Sequence, residues 1–241
     1  MRALGTGATA IAIAFLTIIT MLPWPRTGPV SALAWQDAPP SPVEIGAGPI
    51  RERAFALVGR AVYADDSAQV FGYLTDVIGL DPALLFTDAL PSAQTARFTY
   101  FGDIPLASRG NRGDVTAFAG EGGITIYFDE DAGATWDDPA SFAAGEPVAE
   151  LSLTLRDTLQ RQAPAVGVVV GDERFRQETA GEFVIGGETY RFGQSGIEGR
   201  LRTVGALVDS DGGAGLVAAL TGSGSVSARE AFPVIPGESG A

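Results

Sequence analysis

The 241-residue chain has no cysteine, no histidine and no lysine. Each absence removes a class of chemistry. Without cysteine there is no disulfide, no thiolate nucleophile and no acylated cysteine of the lipoprotein kind. Without histidine there is no Ser-His-Asp triad, and without lysine there is no Ser-Lys variant and no Schiff base with pyridoxal phosphate. Zinc and copper sites built on His or Cys fall away as well. The run GQSG at residues 193–196 has the wrong spacing for a nucleophile elbow. No glycine loop follows a strand and opens a helix, so nucleotide binding has no support. With no covalent staple available, the fold must be held by its core alone.

All 16 basic residues are arginine, against 29 Asp and Glu, for a net charge of −13. That balance repels nucleic acid and anionic lipid surfaces. It favours dispersal outside the cell, and no nucleic-acid partner is expected.

The N-terminal end reads as a leader, residues 1–34. Arg2 precedes the apolar run ATAIAIAFLTIITML, and Ala32-Leu33-Ala34 supplies small residues at alternate positions ahead of Trp35. A basic start, an apolar stretch and a small-residue site make a secretory signal peptide. The uncharged segment from Ala3 to Trp24 is also close to the ~20 residues of a membrane span, which leaves an uncleaved anchor as the alternative. Pro23 and Pro25 argue that the apolar helix ends there. The expectation is a secreted or cell-surface protein with no membrane insertion once the leader is removed.

Residues 35–50, rich in Pro and Gly, read as a linker. Residues 211–241 are small, polar and glycine-rich, and read as a flexible tail. Between them, residues 51–210 carry the pattern of strands. In VAELSLTLRDTLQ, Ala149, Leu151, Leu153 and Leu155 alternate with Glu150, Ser152, Thr154 and Arg156. That period of two belongs to a half-buried strand. Ile124, Ile126 and Phe128 alternate with Thr125 and Tyr127, and Val115, Ala117 and Ala119 with Thr116 and Phe118. Runs at 97–102, 182–193 and 200–208 are aromatic or β-branched. Gly186-Gly187 between two such runs predicts a hairpin. The stretch 51–86 reads as two strands followed by a short helical turn at DPALLF. Short strands with frequent turns predict an all-β antiparallel barrel of about eight to ten strands, with a two-sheet sandwich as second choice.

The most patterned stretch is YFDEDAGATWDD, residues 127–138. Asp131-x-Gly133-x-Thr135-Trp136 resembles the Asp-box hairpin of sialidases and related propellers, with Asp129 standing where that motif has Ser or Thr. The resemblance implies a structural turn in which the aspartate accepts backbone N–H groups, glycine supplies a left-handed conformation and tryptophan covers the hairpin. It implies no sialidase activity, because one copy makes no propeller. Asp129, Asp131 and Asp137 are also candidate calcium ligands, although glycine stands at the fifth position of the loop and the Glu at the twelfth is missing. Calcium is the one cofactor to consider.

What remains for catalysis is a carboxylate pair, as in glycoside hydrolysis. Asp103, Glu121, Glu150 and Glu182 lie in strand-like runs and are the candidates, each more simply read as an acid on a solvated face. The aromatics Phe98, Tyr100, Phe101, Phe128, Tyr190 and Phe192 read first as core. The functional expectation is therefore an exported, non-catalytic β domain that binds a small molecule, a glycan or a protein partner. The alternative is a carboxylate-dependent enzyme, either a glycoside hydrolase or a barrel-type cyclase or isomerase.

Overall fold

The computed structural model describes residues 41–50, 52–163, 165–208 and 216–228. The leader at 1–34 and residues 35–40 of the linker lie outside the described residues. Eleven strands follow in order: β1 Val43–Ile45, β2 Arg53–Tyr63, β3 Ser67–Val77, β4 Phe98–Arg112, β5 Val115–Phe128, β6 Glu146–Ala163, β7 Val166–Ala180, β8 Glu182–Ile185, β9 Glu188–Phe192, β10 Glu198–Val208 and β11 Leu216–Ala228. Eight of them close into an antiparallel barrel in the order β10-β11-β2-β3-β4-β5-β6-β7. The pairing of β10 with β7 removes both edges, which separates the barrel from the sandwich. β1, β9 and β8 form a separate three-stranded sheet. Gly186 and Gly187, both at positive φ (62° and 83°), make the expected two-residue hairpin between β8 and β9. The expected helical turn is a 3-10 turn at Pro82–Leu84, capped by Asp81 through the Ala83 N–H at 2.9 Å.

Two expected boundaries are corrected. Val43–Ile45, in the expected linker, pairs in parallel with β9. Leu216–Ala228, in the expected tail, is a full barrel strand. Its composition is small because its inward positions receive large neighbours. A Cβ at Gly224 would lie 2.3 Å from the Phe55 ring, and one at Gly222 would lie 2.8 Å from the Thr203 methyl. Small residues that look like a loose tail are here the receiving half of a packed interior.

The same exchange fills the rest of the barrel. The Tyr100 hydroxyl occupies the space a side chain at Gly59 would need, and the Phe175 ring does the same at Gly199. Among the described residues the interior keeps an apolar cavity of about 20 Å³ lined by Leu57, Leu74, Tyr100, Leu153 and Phe175 among others. That is room for about one water molecule.

One barrel end carries the short hairpins at 64–66 and 113–114. The other carries the long connections and is closed by aromatic side chains. Phe183 of β8 packs on Phe98 at 5.3 Å and on Phe128 at 4.7 Å, and Phe192 of β9 packs on Phe55 at 6.4 Å. The aromatics expected in the core are there: Phe98, Tyr100, Phe128, Tyr190 and Phe192 are all buried, and only Phe101 is half-buried.

On β5 the inward set is the reverse of what hydrophobicity alone suggests. Thr116 and Phe118 are buried, whereas Val115 and Ala117 are exposed. One phenylalanine buries more apolar area than two alanines, and the pleat cannot serve both sets.

A second cluster lies on the outside of the wall. Phe71 and Tyr73 of β3 face outward under Phe142 and Trp136, with ring centroids 5.0 to 6.2 Å apart. Trp136 is half-buried there. Trp136→Ala is expected to cost about 2 kcal/mol, below the range for a fully buried ring. For a domain of this size that is a fall in Tm of roughly 4–8 °C. Differential scanning calorimetry would show it, and an unchanged Tm would remove the covering role.

Candidate functional site

Strand alternation places two acids inside the barrel. On β6 the inward positions run Leu151, Leu153, Leu155, Asp157 and Leu159, all buried. On β7 they run Val169, Gly171, Glu173 and Phe175. Asp157 is 3% exposed and Glu173 is 4% exposed. The Tyr63 hydroxyl, at the end of β2, donates to Asp157 Oδ2 at 2.5 Å. The Thr203 hydroxyl of β10 donates to Glu173 Oε1 at 3.0 Å. Cross-strand register sets them side by side, with Phe118 opposite Asp157, Asp157 opposite Gly171, and Gly171 opposite Thr203.

Gly171 is a requirement of the site. A Cβ there would meet Glu173 Oε1 at 2.1 Å, the Thr203 hydroxyl at 2.3 Å and Asp157 Oδ1 at 2.6 Å. Three oxygens from three strands converge on the space that this residue leaves empty.

Each carboxyl keeps one buried oxygen without a partner, Oδ1 on Asp157 and Oε2 on Glu173. Two facing ionised carboxylates in an apolar barrel would cost several kcal/mol. A single proton retained on Glu173 would remove one of the two charges and give Asp157 a donor. Burial is the main cause pushing the Glu173 carboxyl up to about 9, and the neighbouring Asp157 charge adds to it. Burial also raises Asp157, opposed by the hydrogen bonds from Tyr63 and Glu173. Tyr63 is raised as well, first by burial and then by the Asp157 charge, so it stays a donor. Its ring stacks on Phe118 at 4.4 Å, and the Arg109 guanidinium covers Phe118 at 5.5 Å. Arg109 in turn pairs with Asp65 at 3.0 Å on the surface.

The second feature is a trough of about 590 Å³ on the outer wall, crossing β5, β6, β7 and β10. It is flanked by two rows of outward side chains. One row runs Glu121, Thr154, Arg174 and Arg200, and the other runs Ser152, Arg176 and Glu198. Arg174 stands directly opposite Arg200 in the antiparallel register. Arg176 pairs with Glu198 at 3.3 Å, and Arg200 with Asp172 at 3.9 Å. Arg174 has no ion pair among the described residues. No aromatic ring lines the outward side of the trough, because Phe175 points inward.

Of the acids singled out from the sequence, Asp103, Glu121, Glu150 and Glu182 are all exposed on outward positions, and none faces another of the four across a cleft. Only Glu121 joins a concave surface, at the edge of the trough. In the patterned stretch, Asp129 rather than Asp131 accepts a backbone N–H, that of Asp131 at 3.0 Å. Asp138 does the same for Ala140 at 3.1 Å. Gly133 has φ 122°, and Trp136, which the resemblance set over the hairpin, packs on Phe71 and Tyr73 of the outer wall. Asp129, Asp131 and Asp137 are not brought into a common cage, and no group of three or more acids positioned to hold an ion occurs among the described residues.

The interior pair was legible and was missed. Asp157 continues the same alternation that put Leu151, Leu153 and Leu155 inside, and Glu173 shares the parity of Val169 and Phe175. Extending the pattern past Arg156 would have flagged a buried acid. The trough had no sequence signal, because it arises from strands that are far apart in the chain.

No protein-family model, no curated protein and no solved structure matches this chain.

Proposed function

We propose that the domain is an exported, non-catalytic barrel that binds its ligand on the outer wall, and that the ligand is an acidic glycan. The leader-like segment at residues 1–34 supports export. Among the described residues no helix is long and apolar enough to cross a membrane. The interior cavity of about 20 Å³ is too small for an organic ligand, which directs attention to the trough of about 590 Å³. The observation that carries the reading is the Arg174–Arg200 pair. Like charges directly opposite on a sheet are destabilising, and an anion between them reverses the sign. Arginine forks match carboxylates in bidentate geometry. Ser152, Thr154, Glu121 and Glu198 supply donors and acceptors for hydroxyl groups. Without an aromatic platform there is nothing for a neutral sugar face to stack on.

Isothermal titration with an oligogalacturonate tests this. Binding is expected to weaken with salt, and Arg174→Ala or Arg200→Ala is expected to lower affinity about tenfold each, the loss of one charge-assisted hydrogen bond. A neutral oligosaccharide of equal length should give no heat. Equal affinity in wild type and Arg174→Ala would sink the reading.

A second reading, a carboxylate-dependent enzyme, is favoured by the Asp157–Glu173 pair alone. It requires the barrel to open well beyond its present cavity, and an activity that Glu173→Gln abolishes.

A further inference from the structure

Among the described residues, the upper wall of β7, β10 and β11 carries a face without charge. Val166, Val168 and Val170 of β7 are 51%, 38% and 53% exposed, and Val204 and Val208 of β10 are 49% and 38% exposed. Register makes them a lattice rather than scattered residues. Val170 lies opposite Val204, and Val168 lies opposite Ala206. On the far side, Ala206 faces Ala219 and Val208 faces Val217 of β11. Solvent-exposed strand positions elsewhere on this wall hold Arg, Glu, Asp, Ser or Thr, as the trough does. A contiguous valine surface on three neighbouring strands is of the kind that marks an interaction site, with on the order of 500 Å² of apolar area.

We infer that this face docks a second copy of the same chain about a twofold axis. Charge argues for self-association here. The chain carries a net −13, so two copies repel over most of their surfaces. Among the described residues the valine lattice holds no acid, so it is a face where the approach of a second copy is least opposed by the net charge. Its lower border is Asp172 opposite Arg202, an acid and a base side by side, which a twofold operation presents in complementary order to the partner. Shape argues the same way. A β-branched wall at regular spacing interdigitates with an identical wall, as the inner faces of sandwiches do ~10 Å apart. With its polar rim the face approaches the roughly 800 Å² per partner of a standard interface. An anionic lipid surface is disfavoured by the net charge.

The absence of cysteine makes the test clean. Sedimentation equilibrium of the full chain is expected to show a monomer–dimer equilibrium in the micromolar range. Val168→Glu and Val204→Glu are each expected to raise the dimer dissociation constant at least a hundredfold, with the far-UV circular dichroism unchanged. Ala206→Cys, the only thiol in that variant, should cross-link between copies on mild oxidation, whereas Ser108→Cys on the opposite wall should not. A monomer at several hundred micromolar would overturn the inference, and so would a dimer that Val168→Glu and Val204→Glu leave intact. Co-sedimentation of a monomeric wild type with phosphatidylcholine vesicles would overturn it in favour of a lipid surface.

Discussion

The melting temperature of the barrel is expected to fall by roughly 6–12 °C between pH 5 and pH 9, whereas the Glu173→Gln chain stays nearly flat over the same range. The sign follows from the proton that Glu173 holds. Its ordinary value is 4.5, and in the folded barrel it is pushed up to about 9. Between those limits the folded state binds a proton that the unfolded chain has released, so stability falls as pH rises. The contribution is complete below about 4.5 and is gone once pH has passed about 9. Asp157 is shifted in the same direction, so it does not reverse the slope. An ionised Glu173 beside Asp157 leaves two buried charges with no cation, a loss on the order of 3 kcal/mol.

Glutamine at 173 keeps an oxygen for the Thr203 hydroxyl and offers an amide N–H toward Asp157 at every pH. It should therefore match the wild type near pH 5 and exceed it by about 3 kcal/mol at pH 9. Calorimetric melts of both chains across the range would decide this. Parallel curves would mean that Glu173 is not the proton holder.

Gly171→Ala is expected to be among the most damaging single-methyl additions in the barrel. The new Cβ would stand within 2.6 Å of Glu173 Oε1, the Thr203 hydroxyl and Asp157 Oδ1, where real contacts do not occur. These atoms cannot retreat freely, because Glu173 and Thr203 hold each other at 3.0 Å and Asp157 is tied to Tyr63 at 2.5 Å. Moving any of them breaks a buried hydrogen bond in an apolar setting. Overpacking costs about 1–3 kcal/mol and an orphaned buried polar group costs a similar amount. A combined loss on the order of 4 kcal/mol corresponds to a fall in Tm of roughly 8–16 °C. Urea titration at pH 5 would measure it with the proton in place. A glycine on the same barrel where a Cβ meets nothing, Gly110, serves as the control and is expected to tolerate alanine. A Gly171→Ala chain as stable as Gly110→Ala would show that the acid cluster relaxes without loss.

Alternation along β6 and the hairpin glycines 186 and 187 were visible in the chain, and so was the general barrel. Local chemistry dictates each of them: a period of two for a half-buried strand, and positive φ for the hairpin. The same reading stopped short at Asp157, where hydrophobicity ceased to mark the inward side although the pleat continued. β11 is not legible in the chain, because its small residues acquire meaning only from Phe55 and Thr203, which fill the spaces they leave. The exposed acids Asp103, Glu121, Glu150 and Glu182 stand among the sequence candidates because an acid in a strand carries no mark of which face it occupies without its neighbours.

By itself the sequence determined which chemistries are closed to this protein, its acidic surface and its pleated architecture, since these depend on residue types and on spacing along one strand. Only the tertiary structure decided that Asp157 and Glu173 are buried around Gly171 and that Arg174 meets Arg200. It alone gathered the valines of β7 and β10 onto one wall. Each of these is a relation between strands, and a closed barrel brings such residues together through hydrogen-bond register, which no single stretch of chain contains.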